Sequence, residues 1–170
     1  MGRGIISVVL ICFCSLGLNA QSGIETLPQG ARSMGMGNTN LTLADSWAVF
    51  NNIGALGRLE YSSAMVGYDH RFNLNELTTI SAGAAVYSQK FQYGVSASSY
   101  GGEHFNQNNL GIGIANQLGI ASLGIKINYF QTNIEGFGRT GSPVIEFGGL
   151  AELSPNLFLV HIFTTSPIQK

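Results

Sequence analysis

The sequence predicts an all-β fold, an antiparallel transmembrane β-barrel wall preceded by an N-terminal hatch, on three observations. From Glu60 onward apolar and polar residues alternate with period two, the strand signal. The polar side of that alternation is Ser, Gly, Asn and Gln, whereas water-facing strands carry many Lys and Glu. Charged residues make up only 10% of the chain, against roughly 25% in ordinary soluble domains. Glycine takes 23 of the 170 positions and hydrophobic residues 45%, which excludes the low hydrophobicity and high charge of a disordered chain. A formal net charge of −1 leaves no basic face for nucleic acid. Two cysteines exclude a disulfide-dense scaffold and a four-cysteine zinc site.

Residues 1–20 read as a secretory signal peptide. Arg3 supplies the basic start, Ile5 to Leu18 is almost purely apolar, and Ala20 closes the segment with a small residue. The apolar stretch is shorter than the ~20 residues a spanning helix needs. Ile11 and Phe13 precede Cys12 and Cys14 where lipidation requires a small residue. Cleavage after Ala20 removes both cysteines, so the mature chain is expected to hold no thiol, disulfide or cysteine ligand.

Residues 21–57 are glycine-rich and irregular, with one short helix expected near Leu43 to Phe50, capped by Asp45 or Ser46. Residues 58–163 then carry seven expected strands, each near the 9–11 residues of a tilted membrane-spanning strand. The clearest is Ile120 to Phe130, with Leu123, Ile125, Ile127 and Tyr129 on one side and Ser122, Lys126 and Asn128 on the other. Lys90 to Ser99 divides the same way, placing Lys90 and Gln92 with the polar set. Val144 to Leu153 sets Ile145 and Phe147 against Glu146 and Gly148. Weaker versions run from Tyr61 to His70, Leu77 to Tyr87, Asn109 to Leu118 and Asn156 to Phe163. Lys90, Gln92, Ser122, Lys126 and Asn128 are therefore the expected lumen-facing residues. Short connections are expected at Ser88-Gln89, Gly119 and Ser154-Pro155. Longer ones are expected at Phe72 to Glu76, Gly101 to Asn108 and Thr132 to Pro143, the asymmetry of an outer-membrane barrel. Residues 164–170 form a polar tail.

No catalytic residue, cofactor site or metal site is expected. Gly136-Phe137-Gly138-Arg139-Thr140-Gly141 has dinucleotide-binding spacing, but that fingerprint needs a helix N-terminus after it, and Pro143 with an alternating run follows. His70, His104 and His161 are widely separated, and no Gly-x-Ser-x-Gly elbow occurs. The expectation is a non-catalytic protein.

Gly30-Ala31-Arg32-Ser33-Met34-Gly35-Met36-Gly37, followed by Ala44-Asp45-Ser46-Trp47-Ala48-Val49-Phe50-Asn51-Asn52, resembles the N-terminal signature of bacterial outer-membrane proteins related to the long-chain fatty-acid transporters. It is most similar to the type IX secretion-associated PorV/PorQ-type proteins. There a similar run leads to Asn-Pro-Ala; here Asn52 matches the Asn and Ile53 stands in the proline's place. The resemblance implies that this segment folds into the barrel mouth as a hatch, with Gly30, Arg32, Gly35, Gly37, Asp45, Trp47 and Asn52 as its residues. It implies an outer-membrane location and either passage of hydrophobic small molecules or service to the secretion machinery. A structural or adhesive barrel whose loops bind partners is the alternative. Independently of the resemblance, Arg32 and Asp45 are expected to pair with each other or with lumen groups, since an unpaired charge in a confined lumen is costly. Seven is an odd number, whereas closed single-chain barrels of bacteria have an even one. An incomplete barrel is therefore expected, from a truncated reading frame or as a half that joins a second copy.

Overall fold

The computed structural model describes residues 28–165; the expected signal peptide and residues 166–170 of the tail lie outside the described residues. Seven strands follow in sequence order through one antiparallel sheet: β1 (Ser63–His70), β2 (Thr78–Val86), β3 (Gln92–Gly101), β4 (Phe105–Leu118), β5 (Ala121–Ile134), β6 (Gly138–Ser154) and β7 (Leu157–Thr164). Each pairs with the next, and β1 and β7 are the two edges, so the sheet is open. Among the described residues three short helices precede it: α1 (Ala31–Gly35), α2 (Ala48–Asn51) and α3 (Ile53–Leu56).

Register sets one chemistry on each face. Ala84, Val95, Ile112, Ile127 and Ile145 are cross-strand neighbours in one row, while the next row over holds Ala85, Gly94, Gly113, Lys126 and Glu146. The first row points away from the helices; most of its members are exposed. The second is covered.

The covering requires curvature. Trp47 lies against Gly67 of β1, Val49 and Leu56 against Gly94 of β3, Ile53 against Gly113 of β4 and Gly148 of β6, and Arg58 over the Phe158 ring of β7. A flat seven-stranded sheet would be about 29 Å wide at ~4.8 Å per strand, far beyond the reach of a helical turn ~10–12 Å across. The sheet curls around the N-terminal segment as a partial barrel.

Two expectations are corrected. The stretches read as long connections, Gly101 to Asn108 and Thr132 to Pro143, are mostly strand: Asn106, Gln107 and Asn108 pair with Asn133, Thr132 and Gln131. Here both faces are polar, so the period-two signal vanishes while the backbone ladder continues. β6 consequently runs for 17 residues. The true connections are residues 71–77, 102–104 and 135–137 at one end and 87–91, 119–120 and 155–156 at the other. The expected helix near Leu43 begins only at Ala48, because Asp45 Oδ1 accepts the Trp47 N–H at 3.0 Å and holds a turn first.

Pro143 lies within β6 without breaking it. Ile145 directs its N–H to Thr165 Oγ1 and its C=O to the Thr165 N–H, on the β7 side. Pro143, two residues away, faces the same side beyond the end of β7, where no ladder donor is needed.

Candidate hatch and covered polar face

The hatch is held mainly by asparagines. Asn52, fully buried, donates from Nδ2 to the Leu41 carbonyl at 2.7 Å and accepts the Gly54 N–H on Oδ1 at 3.0 Å. This caps α3. Ile53 occupies the first helical position, where proline is favoured elsewhere, and the Asn52 cap supplies the turn. Asn51 makes a reciprocal pair with Gln29, accepting its N–H and donating to its C=O, both at 2.9 Å. Asn40 Nδ2 donates to Ser33 Oγ at 2.7 Å inside the fold of the α1 loop.

The other residues expected in the hatch divide. Trp47 stands 5.7 Å from Phe50, ring to ring, and packs on Gly30, whose φ of 97° and lack of a side chain both suit the contact. Gly37 has a φ of 66°, a conformation that favours glycine. Gly35 has open space around it, so packing makes no demand for glycine there. Arg32 and Asp45 do approach, at 3.9 Å, but the Arg32 side chain is 66% exposed. Such a pair contributes about 0–1 kcal/mol. The buried-pair expectation is thus corrected: the motif faces Arg32 outward, and Asp45 acts chiefly on the Trp47 N–H.

A stronger charged clamp lies at the other end. Arg58 meets Glu152 at 2.7 Å and donates to the Ile120 carbonyl at 2.9 Å, with its own side chain only 15% exposed. It ties the exit of the hatch to the short-turn end of β4, β5 and β6. The sequence reading missed it because 94 residues separate the partners.

Hatch and wall meet backbone to backbone. A Cβ at Gly54 would stand 2.6 Å from the Gly149 nitrogen, and one at Gly148 2.5 Å from Asn52 Oδ1. Ser122, fully buried, donates to the Gly54 carbonyl at 2.5 Å. Around this seam Val49, Ile53, Ala55 and Leu56 form the apolar core.

Beyond the seam the covered face turns polar. Gln92, Ser122, Lys126 and Asn128 all lie on it, as does Glu146. Lys90 does not. It sits exposed in the connection before β3, because the β2–β3 turn extends to Phe91 and the strand starts at Gln92. Lys126, 1% exposed, places Nζ 5.7 Å from the centre of the Phe50 ring. Its direct cross-strand neighbour is Glu146, yet the two form no ion pair within 4.0 Å. Asn128 Nδ2 reaches Glu146 Oε2 at 3.4 Å. Lys126 Nζ, Glu146 Oε1, Asn128 Oδ1, Asn109 Oδ1, Ser96 Oγ and Thr79 Oγ1 are buried without a hydrogen-bond partner. Each such atom costs about 1–3 kcal/mol. A cavity of about 170 Å³ opens beside Glu146, bounded also by Asn40, Phe50, Asn51, Ile162 and Thr164.

Among the described residues no group of three or more His, Cys, Asp and Glu is arranged to hold a metal ion. The glycine run at residues 136–141 spans the β5–β6 turn and the start of β6, with no helix after it. Among the described residues no helix is long and apolar enough to cross a membrane, which says nothing of strands. Comparison with family models, with curated proteins and with solved structures returns no match for this chain.

Proposed function

We propose that the chain is the wall and hatch of an outer-membrane β-barrel that acts in transport without catalysis. The observation that carries this reading is the uncovered face of the sheet. Val66, Ile80, Val95, Ile112, Ile127 and Phe147 stand exposed on the consecutive strands β1 to β6 as one continuous apolar surface, far more than a water-facing sheet tolerates. In β5 that surface runs from Ala121 to Tyr129; eight steps of about 3.4 Å at ~40° tilt cover about 21 Å, near the ~25 Å apolar band of such barrels. Two residues further along, Gln131 and its neighbour Asn108 turn the same face polar. Tyr68, Tyr93 and Tyr129 add exposed aromatic side chains to the apolar face, as interfacial girdles do.

A signal peptide at residues 1–20 belongs to this reading, as the export route to a bacterial outer membrane. The resemblance of residues 30–52 to the fatty-acid transporter relatives and the type IX accessory barrels extends it to hydrophobic small molecules or to protein secretion. Membrane fractionation tests the location: the chain should sediment with outer membranes and require detergent, and recovery as soluble periplasmic protein overturns the reading. A hydrophobic ligand copurifying with the detergent-solubilised chain favours uptake. Capture of secretion-machinery subunits favours export. Loss of adhesion alone on deleting residues 135–137 favours the adhesive alternative.

A further inference from the structure

We propose that the outward face of the sheet carries a site for one anionic lipid, its acyl chain in an apolar groove over β2 to β5 and its phosphate on Arg139 of β6. This rests on the membrane reading and deepens it, by naming a lipid that the wall holds in place.

The groove follows from side-chain size and register. Val66, Ala82, Ala97, Leu110, Tyr129 and Pro143 are successive cross-strand partners in one row through β1 to β6. Two alanines side by side leave a trough among taller neighbours. It has a volume of about 570 Å³, with Val95, Leu110, Ile112 and Tyr129 standing around Ala82 and Ala97.

Above the groove the chemistry of the same face changes in order. Each row lies two residues, about 7 Å, further along the strands. The next row holds Ser99, Asn108, Gln131 and Gly141, and the one after it Asn106, Asn133 and Arg139. Tyr129 spans the first step, since its hydroxyl stands over Gly141. Asn106 donates to Ser99 Oγ at 3.3 Å and accepts from Asn108 Nδ2 at 2.7 Å, and Arg139 donates to Gln131 Oε1. Apolar trough, hydroxyls and amides, then guanidinium: a lipid presents acyl chain, ester and phosphate in that same order.

Charge complementarity selects the occupant. Among the described residues Arg139 is the only Asp, Glu, Lys or Arg at an outward-facing strand position, and it takes part in none of the ion pairs. Glu135, in the adjoining turn, pairs with His104 instead. One neutral amide occupies one of the five guanidinium donors, and the planar fork suits a phosphate bidentately. A second copy of this chain would lay its own apolar face over Arg139 and the amides and leave them unpaired. A lipid phosphate pairs them.

The test is photolabelling of the full chain in phosphatidylcholine vesicles. One probe is phosphatidylglycerol with a diazirine on its acyl chain; the other is diacylglycerol with the same chain and no phosphate. Peptide mapping compares the groove strands β3 to β5 with β7, whose outward Leu157, Leu159 and Phe163 are also exposed. Phosphatidylglycerol should label the groove about fivefold over β7, the factor one basic residue contributes at an anionic lipid surface. Diacylglycerol should show no such preference. Arg139→Gln should abolish it, and so should Ala97→Leu, which fills the trough and leaves the charge. Equal labelling of groove and β7 by phosphatidylglycerol overturns the lipid site and leaves the membrane reading standing. A preference that survives either substitution overturns the assignment of the phosphate to Arg139 or of the chain to the groove. A groove shielded from both probes while β7 is labelled overturns the lipid too, in favour of a second copy seated there. Labelling of neither region overturns the membrane reading itself.

Discussion

Asn52 is the residue on which most of the hatch turns. It is fully buried and bonds at both ends of its amide, to Leu41 and to Gly54. Asn52→Ala leaves the buried Gly54 N–H and the part-buried Leu41 carbonyl without this partner, so the expected loss is about 1–3 kcal/mol. Limited proteolysis should read this as faster cutting between Gln29 and Gly57. Arg32→Ala should leave that cutting nearly unchanged, because its ion pair is exposed and worth at most ~1 kcal/mol. Arg58→Ala should accelerate it, since it removes a half-buried clamp of two partners. On the membrane reading proposed above, Ile125→Arg on the opposite face of the sheet should destabilise the protein by about 2–4 kcal/mol, measured by urea titration in vesicles. Asn52 and Asp45 stood out in the sequence through their short-range motif. Asn40, Asn51 and Arg58 did not, because their partners lie 7, 22 and 94 residues away and a linear pattern holds no trace of such pairings.

At the scale of elements, the strands were legible where one face is apolar and illegible where both are polar. The cores of β3, β5 and β6 follow the alternation residue for residue. The Asn- and Thr-rich ends of β4 and β5 read as loops, since hydrogen bonding between backbones leaves no mark on side-chain polarity. The short helices show the converse. α3 is four residues long, too short to be stable alone, and exists because Ile53 and Leu56 bury against strand glycines. Its seam with β6 yields a contrast between two glycines. Gly54→Ala drives a Cβ into the Gly148–Gly149 main chain at 2.5 to 2.6 Å, so it should cost about 1–3 kcal/mol. Gly35→Ala, at the end of α1 with open space around it, should be neutral or stabilise by up to ~1 kcal/mol. Thermal melts in detergent of the two variants, taken side by side, check both expectations.

On the scale of the whole molecule, the open sheet predicts a gradient of protection. β4 and β5 pair on both sides, whereas β1 and β7 each offer one unpaired edge. Amide hydrogen exchange in detergent should therefore be slowest in β4 and β5 and fastest along the outward-facing edges of β1 and β7. Uniform protection across all seven strands would show that something covers both edges. The sequence by itself determined the all-β class, the number and order of strands, and which side of β5 is apolar. Those are local properties: alternation, glycine density and charge depletion act on neighbours a few residues apart. Only the tertiary structure decided that the hatch is held by asparagine amides and Arg58 rather than by Arg32. It also decided that Lys90 lies off the covered face, and that Lys126 is buried with its Nζ over the Phe50 ring. The reason is physical: curvature and long-range register bring together groups far apart in the chain. Whether a charge is buried depends on what the rest of the chain lays over it.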